Sequence, residues 1–186
     1  MRKFNFSSFP VLKSDRLILR DYREQDYETV FYLRSDDGMN EFIKRERPEH
    51  VDEAVEFIRK VQSGMENGIN VNWVISTKED HKMIGSICLW NFSDDLQTAE
   101  IGYDLHPAFQ KKGYMHEAVQ IVLRFGFKSL QFHNIQAYTH KLNKRSIGLL
   151  MKNGFRVCEG KTDAEDENNI ILSLNRKTYF SGPNPG

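Results

Sequence analysis

One turn gathers the residues best suited to chemistry. Gln110-Lys111-Lys112-Gly113-Tyr114-Met115 leads directly into the helical stretch His116-Glu117-Ala118-Val119. A helix start leaves its first amides without carbonyl partners and carries the positive end of the peptide dipoles, so an anion there gains hydrogen bonds and favourable charge. Gly113 has no side chain to keep a ligand off the backbone. The chemistry is capture of a phosphorylated ligand. Taken alone, the hexapeptide reads as an ordinary loop-to-helix junction with exposed lysines; the elements around it argue for the ligand. Other reactive patterns are missing. The six histidines make no metal spacing, and His116-Glu117 lacks a second histidine four residues after the first, so no metal is expected. No Gly-x-Ser-x-Gly elbow occurs, and neither Cys88 nor Cys158 carries a nucleophile signature.

The turn is framed by strands and helices. Upstream, Thr98-Ala99-Glu100-Ile101-Gly102-Tyr103-Asp104-Leu105 sets Ala99, Ile101, Tyr103 and Leu105 on one face against Glu100, Gly102 and Asp104 on the other, a strand period. Pro107 then removes a backbone donor and ends the ladder. After the turn, Ala118, Val119, Val122, Leu123 and Phe127 form the apolar face of a helix that should dock on a sheet. Asn134-Ile135-Gln136-Ala137-Tyr138-Thr139-His140 reads as the next strand. Asn143 is a natural N-cap for the helix containing Ile147, Leu149, Leu150 and Met151, and Gly154 supplies a left-handed stop. Nearer the start, Arg16-Leu17-Ile18-Leu19-Arg20 reads as a strand, and Asp26, Tyr27, Val30, Phe31 and Arg34 follow at helical spacing. A stronger amphipathic helix is predicted from about Val51 to Asn67, with Val51, Ala54, Val55, Ile58 and Val61 as its apolar stripe. Asn72–Ser76 and Met83–Trp90 read as a hairpin turning in Lys78-Glu79-Asp80-His81. The predicted order is β, α, α, β, β, β, α, β, α, β, β, with Ser181–Gly186 as a disordered tail.

Composition narrows the class. A chain of 186 residues can bury a shared core as one domain. Its 26 basic and 26 acidic residues cancel, so no global field favours nucleic acid or an anionic membrane. Two cysteines without a disulfide framework fit a reducing cytoplasm. Phe4, Phe6 and Phe9 are interrupted by Asn5, Ser7 and Ser8, so no secretory apolar core is seen, and no stretch approaches membrane-spanning length.

Three motifs in order carry a family resemblance: Ala99-Glu100-Ile101-Gly102-Tyr103, then Gln110 to Met115, then Asn143-Lys144-Arg145-Ser146 with Asn153-Gly154-Phe155. Together they resemble the GNAT superfamily of acyl-CoA-dependent N-acyltransferases, and within it the branch of bacterial ribosomal-protein N-terminal acetyltransferases. The resemblance covers nearly the whole chain, from Asp15 to the strand near Leu174. Three departures stand out. Met115 occupies the last position of a Gln/Arg-x-x-Gly-x-Gly/Ala pattern, Asn134 a frequent arginine position, and Lys141 a frequent proline position. The long Met115 side chain should point into the core.

The resemblance implies an α/β (α+β) fold: a mixed, mostly antiparallel central sheet of about seven strands flanked by about four helices, with splayed fourth and fifth strands. It implies acetyl-CoA as cofactor, held by Gln110, Lys111, Lys112, Gly113, Tyr114 and Met115 at the turn, by Asn143, and by the strand backbone at Asp104, Leu105 and His106. It further implies Glu100 as the proton acceptor, through water, and Ser146 as a donor to the leaving thiolate. For each there is a plainer alternative: an exposed strand glutamate, a first-turn serine, a simple helix cap. Tyr103 and Tyr138 compete for the acid role, with core packing as the expectation for their rings; His140 is expected as a surface-loop histidine.

An amine is a good nucleophile once deprotonated, and an α-amine, near about 7.7–8.0, needs less help than a lysine-like amine near about 10.4. What remains is positioning, proton acceptance, oxyanion stabilisation and protonation of the thiolate. The expected activity is therefore acetyl transfer by direct attack of a primary amine, of a protein N-terminus or a small molecule, on the thioester. A non-catalytic acyl-CoA-binding or sensing module of the same fold is the alternative. The acceptor pocket falls to residues 35–48 and 160–168, where Lys44, Arg45 and Arg47 oppose Asp163, Glu165, Asp166 and Glu167. The expected organisation is an N-terminal extension over residues 1–15, one acyltransferase domain over 16–178 and a tail over 179–186, in a cytoplasmic monomer or homodimer.

Overall fold

Apolar alternation and strand pairing build one sheet, and the computed structural model describes residues 4, 6 and 8–182 of the chain. The strands are β1 (Leu12–Lys13), β2 (Leu17–Arg20), β3 (Val71–Thr77), β4 (Met83–Trp90), β5 (Thr98–Leu105), β6 (Asn134–His140), β7 (Arg156–Val157) and β8 (Asn169–Asn175). Their spatial order is β1-β2-β3-β4-β5-β6-β8-β7. The helices are α1 (Tyr27–Ser35), α2 (Val51–Glu66), α3 (Tyr114–Lys128), α4 (Lys144–Lys152) and α5 (Arg176–Ser181). Neighbouring strands are antiparallel except β5 and β6, which run parallel because α3 crosses back between them.

That parallel pair is short. Its ladder holds at Thr98↔Asn134, Ala99↔Ile135 and Glu100↔Gln136, and stops there although β5 continues to Leu105 and β6 to His140. The expected splay of the fourth and fifth main strands is thus present, and it opens directly after Glu100.

The core divides by sheet face. Ala118, Val119, Val122, Leu123 and Phe127 of α3 are at most 1% exposed and pack with Leu17, Leu19, Ile75, Ile87, Leu89 and Ile135. Burying each Val or Leu of such a face contributes roughly 1.5–3 kcal/mol. On the other face, Val30 and Leu33 of α1 and Ala54, Ile58 and Val61 of α2 enclose Val74 and Met83. An ion pair buried at the start of α1 joins Arg20 Nη1 to Asp26 Oδ2 at 2.7 Å.

Among the described residues the sheet has eight strands and the chain five α-helices, one more of each than expected. Both additions are short and lack a periodic signal. β1 lies in the expected N-terminal extension and pairs Leu12 with Leu19, while Trp73 Nε1 donates to the Pro10 carbonyl at 2.7 Å. At the other end α5 runs through residues expected as tail, and the Tyr179 ring lies 5.0 Å from Phe127. Residues 183–186 of the expected tail lie outside the described residues. Among the described residues no helix is long and apolar enough to cross a membrane.

Candidate active site

The turn before α3 is built from positive-φ backbone. Gly113 sits at φ 82° as the residue preceding the helix, and Lys111 at φ 62°. The first amide of the helix to close onto a backbone carbonyl is that of Glu117, which donates to Gly113 at 3.1 Å. Among the described residues, the amides of Tyr114, Met115 and His116 have no protein acceptor. A side chain on Gly113 would be strained by its φ and would meet Arg16 Nη2 at 3.3 Å. Lys111 and Lys112 are exposed, whereas Met115 is buried in the core, as its apolar character predicts.

Arg16 fastens this turn, a role that sequence reasoning missed. Its Nη1 donates to the Lys112 carbonyl at 3.0 Å, its Nε to Glu117 Oε2 at 2.7 Å, and its guanidinium carbon lies 4.6 Å from the Tyr114 ring centre. Ser14 Oγ donates to Glu117 Oε1 at 2.6 Å. Burial pushes the Glu117 carboxyl up, but the bonds from Ser14 and Arg16 outweigh it and hold the group below its ordinary value. About a hundred residues separate these partners, and no local pattern links them.

At the end of β5 the side chains organise the backbone. Gln110 Nε2 donates to the Leu105 carbonyl at 2.9 Å, while Arg145 Nη1 reaches Gln110 Oε1 at 3.4 Å. His106 Nδ1 accepts from the Ala108 amide at 3.2 Å, and its ring lies 4.7 Å from Tyr32. The Asp104 carboxylate turns to the opposite side of the strand, where Oδ1 accepts from the Ser86 amide at 3.1 Å and from Ser86 Oγ at 2.7 Å.

The splay brings a second group together. Asn143 Oδ1 accepts from the Ser146 amide at 3.1 Å, capping α4, and Ser146 Oγ lies 2.9 Å from Tyr103 Oη. Burial pushes the Tyr103 phenol up to about 12, so it remains a proton-bearing donor at neutral pH. Tyr138 is 37% exposed. Its hydroxyl donates to Gln136 Oε1 at 3.4 Å. Both rings line a cleft; Tyr103 also packs against the buried core as expected, whereas Tyr138 does not. His140 closes the turn after β6 by accepting the Leu142 amide on Nδ1, and its ring lies 5.3 Å from Phe42.

The cleft, about 720 Å3, reaches from α1 and α2 across the sheet to the splay. Glu100 lines it and accepts a hydrogen bond from Asn91 Nδ2. Burial pushes the Glu100 carboxyl up, Asn91 opposes that, and the negative Asp163 and Glu165 add to it. The loops expected to form the acceptor pocket both border the cleft and are joined there by Lys44 Nζ to Asp166 Oδ2 at 2.9 Å. Cys88 also lines it, but burial pushes its thiol up to about 12, far from a reactive thiolate.

Fold and cleft together are those of an acyltransferase, and the comparisons agree. A sequence profile described as an acetyltransferase (GNAT) domain matches residues 16–156. An uncharacterised N-acetyltransferase of Bacillus subtilis strain 168, YoaA, is 30% identical over 148 residues, covering 80% of this chain and 84% of that protein. A GNAT-family acetyltransferase from Bacillus anthracis superposes with a TM-score of 0.77 at 23% identity, covering 90% of this chain and 99% of that one. The ribosomal-protein-S5-alanine acetyltransferase from Vibrio fischeri gives 0.76 at 20% identity, over 91% and 98%. The chain belongs to the GNAT acetyltransferase family, and it is an acetyltransferase.

Proposed function

We propose that the chain is an acetyl-CoA-dependent N-acetyltransferase in which a primary amine attacks the thioester directly. The observation that carries this reading is the parting of β5 and β6 after Glu100↔Gln136, with Glu100 beside the cleft and the Tyr103–Ser146 hydroxyl pair bordering the same gap. The turn before α3 suits a diphosphate: three consecutive helix-start amides lack protein acceptors among the described residues, Gly113 leaves them uncovered, and Lys111 and Lys112 stand beside them. When bound, acetyl-CoA supplies an activated acetyl group.

The chain's own residues divide the remaining work. Tyr114, Met115 and His116 hold phosphate through their amides; Gln110 and Asn143 shape the groove's two rims. Glu100, its carboxyl raised by burial, accepts the proton of the amine through water. A thiol near about 8.5 is a stronger acid than a phenol at about 12, so full proton transfer from Tyr103 to a thiolate runs uphill. One hydroxyl of the Tyr103–Ser146 pair therefore donates to the other, and the second would donate a hydrogen bond to the sulfur, with solvent completing its protonation.

The acceptor is an amine of a protein N-terminus or a small molecule. Incubating pure protein with acetyl-CoA and a panel of N-terminal peptides, polyamines and aminoglycosides, while following free thiol, tests the reading. Acceptor-dependent thiol release supports it. Tight CoA binding with no thiol release from any acceptor would instead mark a non-catalytic binding module.

A further inference from the structure

Two guanidiniums line the cleft, and among the described residues only one is bonded by the protein. Arg45 donates through Nε to Asn40 Oδ1 at 2.6 Å and through Nη2 to the Leu33 carbonyl at 2.8 Å, with Nη1 3.6 Å from Asp104 Oδ2. Arg34, in the last turn of α1, lies over the Phe57 ring with its guanidinium carbon 3.9 Å from the ring centre. Among the described residues its N–H groups donate to no acceptor, although the residue is only partly exposed and lines the cleft. Asp104 attracts it through space, but that carboxylate is already engaged by Ser86 and Arg45. Contact with a ring holds a guanidinium in place without using its N–H donors, a fork matched to carboxylate or phosphate oxygens. Burial and the neighbouring Arg45 work against the charge on Arg34 and outweigh the pull of Asp104, and among the described residues no carboxylate bonds it directly.

The cleft is also polarised. Glu100, Asp163 and Glu165 influence one another at one end; Arg34 and Arg45 lie together near Asp104 at the other. Glu100 and Asp104 lie on the same face of β5 four residues apart, about 13 Å at strand rise. We propose that the acceptor carries, besides its amine, an anionic carboxylate or phosphate group that docks on Arg34 while the amine lies toward Glu100. This rests on the cleft being the acceptor site of an acetyltransferase and narrows its substrate class.

The test uses matched amines with acetyl-CoA: amino acids and dipeptides against their carboxamides, and amino-sugar phosphates against the free amino sugars. The wild type should prefer the anionic member of the pair that fits by roughly ten- to a hundredfold in kcat/KM, mostly through KM. Whether the carboxylate or the phosphate series shows the preference identifies the anion. Arg34→Met, which keeps an apolar stem against Phe57, should level the ratio, and Arg34→Lys should restore part of it. Equal use of both members by the wild type, or a preference surviving in a folded Arg34→Met, would overturn the docking while leaving acetyl transfer standing, since thiol is still released. If no amine releases thiol, the reading of the cleft as an acceptor site fails. Thermal melting with the same pairs then decides: stabilisation by anionic members alone, lost in Arg34→Met, upholds the anion site, and its absence overturns it.

Discussion

Glu100 concentrates the residue-scale argument, because its neighbours set when it can accept a proton. Burial and the charges of Asp163 and Glu165 disfavour its carboxylate form, so its folded pKa stands above the ordinary glutamate value. Activity that needs the carboxylate should fall as pH drops through that raised pKa. Neutralising the neighbours in an Asp163→Asn/Glu165→Gln variant should lower the Glu100 pKa and move the acid limb of the kcat/KM profile to lower pH. An unmoved limb would detach Glu100 from proton transfer. Glu100→Gln should reduce turnover at neutral pH by roughly a hundredfold or more while sparing CoA affinity measured by calorimetry. At this scale the sequence reveals its local features. Asn143 announces a cap because its bond to Ser146 spans three residues, and Gly154 announces a left-handed stop after α4. Tyr103 meets Ser146 across 43 positions, and nothing local tells a core tyrosine from one facing a splay. Arg16 and Arg34 are hidden for the same reason: their partners, Glu117 and Phe57, lie on other elements.

Elements are where periodicity succeeds. The stripe of α2 is found because Ala54, Ile58 and Val61 are buried, although Val51 at its start is 41% exposed, and α3 because its whole apolar face is buried. β1 escapes because two residues carry no period, and α5 because its six residues bury no side chain fully. The splay is legible only through resemblance, since alternation continues unbroken past Glu100 along β5 whether or not a partner strand is present. Gly113→Val demands a positive φ from a β-branched residue and crowds Arg16, so CoA affinity should fall at least tenfold by calorimetry in a variant that still folds. Asp26→Ala leaves Arg20 buried without its partner, which costs about 3–5 kcal/mol and should appear as an earlier urea midpoint with an unchanged slope.

At the scale of the whole molecule, two apolar layers pin α3 to one face of the sheet and α1 with α2 to the other, while the cleft occupies the space they leave over β5 and β6. A ligand that binds only the folded form stabilises it by mass action, about 2.7 kcal/mol at a concentration a hundredfold above its Kd. Melting temperature should therefore rise with CoA, and rise less with Gly113→Val at the same concentration. The three-rung ladder from Thr98↔Asn134 to Glu100↔Gln136 has a mechanical meaning. It is the seam along which two half-sheets, β1 to β5 and β6 with β8 and β7, are stitched. Below those stitches the halves are free to breathe against each other, and the amides of 101–105 and 137–140 that face the gap should exchange quickly in the free protein and slowly once it is filled, while those bonded to β4 and β8 stay protected.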